Sequence, residues 1–224
     1  MGLRERKKEK TRLAILDAAL DLFLEQGYDS TTVEQIAGAV DISPRTFFRY
    51  FTSKDSLVLW FHDHGEQIIT ETLRSRPPGE PPFTSMVHGL RALLGDMQES
   101  TPQDAGRFLK LRRLLDDHPH LVGLSVARGA ETERRLAAAV AARRGVDPAD
   151  DRMSHLVVAI AMAALRVGFE CPHKDQPDLG EVLEQMEETI TLVEGMLRPG
   201  WDLQDAPEPP AAPAPPASRE GSDA

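Results

Sequence analysis

The stretch DISPRTFFRYF, residues 41–51, sets Arg45 and Arg49 among Phe47, Phe48, Tyr50 and Phe51, in a chain with only 8 Phe, 2 Tyr and 2 Trp in 224 residues. On a helix that starts at Pro44, Phe47 and Phe51 stand four apart and share one face. Arg45, Phe48 and Arg49 then project from the opposite side, with Thr46 and Tyr50 at its flanks. That second face carries the chemistry of groove recognition. A guanidinium can bond guanine O6 and N7 together, an aromatic ring can meet a thymine methyl, and hydroxyls can reach phosphate oxygens. The alternative is that Phe48 and Tyr50 belong to a core between domains and the arginines are simply solvated.

Two further features bear on an anionic partner. Lys54 falls in the first turn of a helix, where a cation opposes the macrodipole and costs about 0.3–1 kcal/mol when exposed. A phosphate held by that lysine and the free N–H groups would reverse the sign, unless Asp55 merely compensates it. Thr32 stands similarly at the start of an earlier helix. Net charge is −10, yet residues 1–12 hold Arg4, Arg6, Lys7, Lys8, Lys10 and Arg12 against Glu5 and Glu9. A basic arm on an acidic body puts an anion-binding surface at one end; a solvated flexible arm is the plainer reading. Arg4, Lys7 and Lys8 are the candidates for phosphate or minor-groove contact.

Other chemistries find little support. His62, Asp63 and His64 sit on a helical pattern where i and i+2 point apart, and His118-Pro119-His120 lacks a ligand set with metal spacing. There is no GxSxG, P-loop or Rossmann glycine pattern, so neither an enzyme, a metal site nor a cofactor is expected. The single cysteine, Cys171, excludes an internal disulfide framework and suits a reducing cytoplasm; a small buried hydrophobe is its plain role. No run of about 18 apolar residues is evident, so no membrane span is expected. The basic N-terminus leads into an amphipathic pattern and not a signal peptide's apolar block.

The elements that must position these groups read as helices throughout. Ile15, Ala18, Ala19, Leu22 and Phe23 form an apolar stripe over 10–26, and Gly27 takes the left-handed position after it. Thr31 reads as an N-cap with Glu34 at N3, a capping box for a short helix that turns Val33, Ile36, Ala37 and Val40 inward. Ser43 caps a third helix with Pro44 at N1, and a fourth runs from about Lys54 towards Arg74. The run Arg76-Pro77-Pro78-Gly79-Glu80-Pro81-Pro82 interrupts helix. Further helical patterns cover roughly 84–99, 102–117, 119–144, 149–170 and 178–198. The proline-dense tail at 205–224 has too little apolar surface to offset its ordering entropy and is expected to be disordered.

Two short helices around a tight turn have helix-turn-helix dimensions, in which the second helix enters the major groove. The run TTVEQIAGAVDISPRTFFRYFTSKDSL, preceded by RLAILDAALDLFLEQGYDSTT, resembles the DNA-binding domain of TetR-type transcriptional regulators over about residues 10–60. The resemblance implies an all-α homodimer, with a three-helix DNA-binding domain and a larger helical ligand-binding domain. It also implies that Arg45, Thr46, Phe48, Arg49, Tyr50 and Lys54 occupy DNA-contacting positions. Two residues depart from the family's habit. Phe48 stands where a phosphate-bonding Tyr is common, and Asp41 where Gly is common, although Asp tolerates the left-handed conformation.

The expected divisions are a DNA-binding domain at 1–54, an effector and dimerisation domain at 55–204, and the tail. Leu179, Leu183, Met186, Ile190, Val193 and Leu197 form a heptad-like seam, and Leu156 and Ile160 lie on the small-residue helix before it. Together they are candidates for a four-helix dimer interface, or for ordinary core. Trp60, Phe61, Met86, Leu90, Phe108 and Met162 could line an apolar effector cavity and are equally suited to core. Arg112 and Arg166 are the candidate polar groups there, with Asp116 and Asp117 near the first and Glu170 near the second as their plain partners. The function expected is a homodimeric regulator, a repressor, that binds palindromic operator DNA and is released by a small apolar or amphipathic effector. The alternative is a helical interaction or small-molecule carrier protein without sequence-specific DNA binding.

Overall fold

The computed structural model describes residues 2–170, 177–197 and 200–202. Cys171 and the tail at 205–224 lie outside the described residues. Ten helices and no strands are found among them: α1 (Leu3–Gln26), α2 (Val33–Ala39), α3 (Pro44–Phe47), α4 (Asp55–Val58), α5 (Trp60–Ser75), α6 (Pro82–Gln98), α7 (Pro102–Asp117), α8 (Pro119–Arg144), α9 (Arg152–Glu170) and α10 (Leu179–Met196). The expected all-α class holds.

Local chemistry sets most of the boundaries. Proline occupies N1 of α3, α6, α7 and α8, where its missing N–H is no loss. Capping boxes start α7 (Thr101 with Asp104) and α10 (Asp178 with Glu181). The α2 box is displaced by one residue from expectation: Thr32 is the N-cap and Gln35 the N3 partner. Thr31 is instead buried, its hydroxyl donating to the Gly27 carbonyl at 2.8 Å. Gly27 does end α1, but with φ 89° and ψ 149°, outside the left-handed helical well and open essentially to glycine alone. The fourth pattern is broken at Leu59 into α4 and α5. The basic N-terminal arm is also helical from Leu3 onward and continuous with α1.

Two apolar clusters hold the chain. One joins Ile15, Leu16, Leu20 and Phe23 of α1 to Ile36, Phe47 and Phe51, and takes in Leu57 and Val58 of α4, Leu111 and Leu114 of α7 and Leu121 of α8. This core therefore crosses the division expected at 54/55. The second cluster packs α5, α6, the C-terminal half of α8, α9 and α10. Within it α9 and α10 approach so closely that a Cβ on Gly168 would lie 2.6 Å from Met186 Cα. α9 is apolar and long enough to cross a bilayer, against expectation. Its Val157, Val158, Ala161 and Ala164 are buried against the other helices, and Leu156 and Val167 are exposed.

The proline-rich interruption is a loop tied to its surroundings. The Arg143 guanidinium donates to the carbonyls of Leu73, Arg76 and Pro77, which satisfies groups left open at the end of α5. Asp202 is buried and accepts from the Phe83 N–H at 2.7 Å, closing the start of α6.

Candidate nucleic-acid interface

α3 is fixed at its start. The Ser43 hydroxyl accepts from the Thr46 N–H at 3.1 Å, and Asp41 turns the chain before it with φ 54°, the left-handed conformation expected there. Only one turn is α-helical. Bonds from Phe48 N–H to Pro44 O, Tyr50 N–H to Phe47 O and Phe51 N–H to Phe47 O carry the turn onward to Phe51. That is enough to sort the side chains. Phe47 and Phe51 are buried in the first cluster, whereas Phe48 is 54% exposed with its ring edge-to-face on Phe47 at 5.4 Å. Arg45 and Arg49 are exposed beside it, and Thr46 and Tyr50 are half-buried at the flanks. Phe48 therefore rests one edge on Phe47 and leaves about half of its surface open on the face that carries Arg45 and Arg49.

The start of α1 lies next to this face. The Arg49 guanidinium donates to the Tyr50 hydroxyl at 3.4 Å and sits 5.2 Å from its ring centroid. Arg49, then the Thr11 hydroxyl and the Lys8 charge, hold the phenol below its usual value. Lys8 and Thr11 belong to α1, so a cationic edge runs from α1 to the Arg45 face. Arg4, Lys7 and Lys8 are all exposed along it.

Two candidates have other work. Thr32 is exposed, but its hydroxyl oxygen accepts from the Gln35 N–H at 3.2 Å. Lys54 is half-buried and donates to the carbonyls of Tyr28 at 2.7 Å and Thr31 at 2.8 Å. Its ammonium also lies 4.4 Å from the Tyr28 ring centroid, while the Tyr28 hydroxyl bonds Asp55. Lys54 thus ties the α1–α2 loop to α4, and two of its three donors are unavailable to a phosphate.

The eight effector candidates separate. Met86 and Leu90 are fully buried core. Arg166 is exposed on α9, 3.8 Å from Glu170, the partner expected of it. Trp60, Phe61, Phe108 and Met162 are half-buried. Arg112 is buried, and its partner is the Phe169 carbonyl and not an aspartate of its own helix.

The dimer candidates separate as well. Met186 and Ile190 are buried within the chain, with Ile160, Leu183 and Val193 packed against the same cluster, so the heptad seam is intrachain core. Leu179 is half-buried. Leu156 alone is exposed as expected, and Val167, Leu192 and Met196, which the seam does not include, share that outward exposure. α10 has two apolar stripes, and the denser one faces in.

Sequence reading also missed the ties between α1 and α7. Arg107 is buried and paired with Asp17 of α1 and Asp104 of its own helix, and Lys110 pairs with Asp21. Ion pairs this far apart in sequence have no local signature.

Residues 15–59 match the family model for bacterial regulatory proteins of the tetR family, and residues 84–193 match that for the MftR C-terminal domain. The HTH-type transcriptional regulator TcmR of Streptomyces glaucescens is 41% identical over 168 residues, covering 74% of each chain. The HTH-type transcriptional repressor Rv3405c of Mycobacterium tuberculosis is 32% identical over 111 residues, 49% of this chain and 59% of the relative. Among solved structures, a TetR-family transcriptional regulator from Streptomyces coelicolor aligns with a TM-score of 0.44 at 21% identity, over 84% of this chain and 99% of the other.

Proposed function

The chain belongs to the TetR family of DNA-binding transcriptional regulators, and we propose that it acts as a repressor: a homodimer that binds a two-fold operator and is released by a small effector. The observation that carries the DNA reading is the exposed Arg45, Phe48 and Arg49 face, set on a capped turn whose other face is buried. Arg45 and Arg49 read base edges or adjacent phosphates, and Phe48 meets a thymine methyl. Arg4, Lys7 and Lys8 add phosphate contacts from the start of α1. Lys54 serves the interface by fixing the loop behind it.

A single short helix covers too few base pairs for specificity, and a two-fold dimer doubles the site. We assign the dimer face to Leu156 and Val167 of α9 with Leu192 and Met196 of α10, all exposed in the single chain. The similarity to the transcriptional repressor Rv3405c of Mycobacterium tuberculosis supports the repressor reading. Effector release requires a differential affinity of only about 1–3 kcal/mol between the DNA-competent and released states. A DNA partner implies the cytoplasm as the compartment.

Fluorescence anisotropy with duplexes tiled across the DNA flanking its own gene tests the reading. One duplex bound far more tightly than the rest, with affinity falling as salt rises, is expected. Uniform or absent binding at moderate salt would sink it and return the chain to a helical interaction or carrier protein.

A further inference from the structure

The cations around the DNA-binding unit place their donors in different ways. Lys54 gives two to backbone carbonyls, Arg107 and Lys110 face carboxylates of α1, and Arg49 meets the Tyr50 hydroxyl. Arg12 of α1 does none of these. It is half-buried, and its guanidinium lies over the Phe51 ring, 5.5 Å from the centroid. Its Nε is shut off from solvent and has no hydrogen-bond partner among the described residues. No hydrogen bond or ion pair among those residues takes its terminal nitrogens either. A buried donor without an acceptor is costly and rare in native chains. A methionine would cover Phe51 without burying a donor, so what the guanidinium contributes lies at its outer nitrogens.

The position of Arg12 says what reaches those nitrogens. Arg4, Lys8 and Arg12 stand four apart on α1 and form one row of cations about 12 Å long. Lys8 and the Thr11 hydroxyl act on the Tyr50 phenol, so the inner end of the row borders the flank of the reading face. Phe51, under Arg12, packs on Phe47 at 5.9 Å, and Phe47 meets the exposed Phe48 at 5.4 Å. Arg12 therefore rests on the back of an aromatic stack whose front end is Phe48. Phe47 and Phe51 are buried, which holds the middle of that stack in place.

We propose that Arg12 is a phosphate clamp: when α3 enters the groove, its terminal nitrogens bond one backbone phosphate of the operator, and this contact sets the angle of the reading turn. The proposal rests on the DNA-binding reading above and adds to it a further positioning residue. α3 is a single α-helical turn, Pro44–Phe47, and has no length of its own to fix how it lies in the groove. A fork of donors on a phosphate gives direction as well as charge. Through Phe51 and Phe47 that direction passes to Phe48, which meets the bases. A contact of this kind fixes register without reading sequence.

The test uses the full chain and the duplex bound most tightly among those tiled across the DNA flanking its gene. Arg12→Met and Arg12→Gln keep a side chain over Phe51 and remove the charge, whereas Arg12→Lys keeps the charge and loses the fork. Removal of one phosphate contact should make the plot of log affinity against log salt shallower by about 0.9 in both uncharged variants. Arg12→Lys should keep the parent's slope. A neutral methylphosphonate is then placed at each phosphate of the duplex in turn. One linkage in each half-site should weaken the parent about tenfold and leave Arg12→Met unaffected, while the other linkages weaken both proteins equally. A side chain that merely covers Phe51 produces no such loss at a single linkage. The parent's slope retained in Arg12→Met, or in Arg12→Gln should the first variant not fold, overturns the proposal. So does a scan in which every linkage affects parent and variant alike. A parent that binds no duplex overturns the DNA reading itself, whereas a parent that binds beside an unchanged Arg12→Met removes the clamp alone.

Discussion

Arg45 and Lys54 both carry positive charge near the reading helix, and the structure gives them opposite jobs. Arg45 is exposed and has no hydrogen-bond or ion-pair partner among the described residues, so Arg45→Ala should leave the melting temperature unchanged. On the operator it should cost about 1–3 kcal/mol, with relaxed base preference at one position. Lys54 donates to two backbone carbonyls. Lys54→Ala should therefore destabilise the fold by about 2 kcal/mol, since charged hydrogen bonds are the stronger kind, and weaken all duplexes alike. Thermal melts beside anisotropy on matched and mismatched duplexes separate the two; an unchanged melt for Lys54→Ala would mean that its bonds are dispensable. Glu80 gives a second test at this scale. The Arg76 guanidinium, with help from the Ser85 hydroxyl, holds its carboxyl down at about 2 from an ordinary 4.5. A depressed folded value means that the unfolded chain takes up the proton first as pH falls. The stability contributed by Glu80 is thus present above about 4.5 and lost as pH drops towards about 2. Melts of the parent and Glu80→Gln should differ most above that window and converge within it.

Helices were legible in this sequence wherever their ends carry their own chemistry. α7 and α8 begin with proline at N1, and the apolar period fixes their middles. The start of α1 was not legible, because Arg4 to Lys10 are good helix formers without an apolar stripe to announce them. The α2 cap was misplaced because Thr31-Thr32 and Glu34-Gln35 offer two registers of one box, and burial of Thr31 decides between them. The buried and exposed sides of the turn at 44–51 were legible because a four-residue spacing separates them without any tertiary information. Which apolar residues of α9 and α10 face outward was not, since whether a stripe faces its own core depends on how those helices dock. Gly168 fixes that docking. A Cβ there would meet Met186 Cα at 2.6 Å, backbone that cannot step aside. Gly168→Ala should accordingly cost about 1–3 kcal/mol by overpacking, read as a lower melting temperature. A melt equal to the parent's would show that α9 and α10 do not meet at this crossing.

Charge and apolar surface are distributed over the whole molecule so that the two ends do different things. The whole chain carries a net charge of −10 although residues 1–12 are basic, so the acidic excess lies in the body, while the start of α1 and the α3 face present cations together and form the end suited to a phosphate backbone. At the other end α9 and α10 expose Leu156, Val167, Leu192 and Met196, with Leu192 63% and Met196 72% exposed. One exposed leucine is ordinary, but several on a two-helix face mark an interaction surface. A second copy is the occupant that the DNA reading requires, since two reading helices must be held at fixed separation. Leu192→Asp places a carboxylate on that face close to Glu188 and, in a two-fold dimer, near the partner's copy of itself. Sedimentation should then show a monomer where the parent is a dimer, with an unchanged helical spectrum. Operator affinity should fall by orders of magnitude, because each protomer now binds one half-site without the other. Ile190→Val separates this from a fold defect: Ile190 is buried within the chain, so the variant should lose about 0.5–1.5 kcal/mol of stability and remain dimeric. If Leu192→Asp sediments as a dimer and still binds the operator, the face on α9 and α10 is not what joins the protomers.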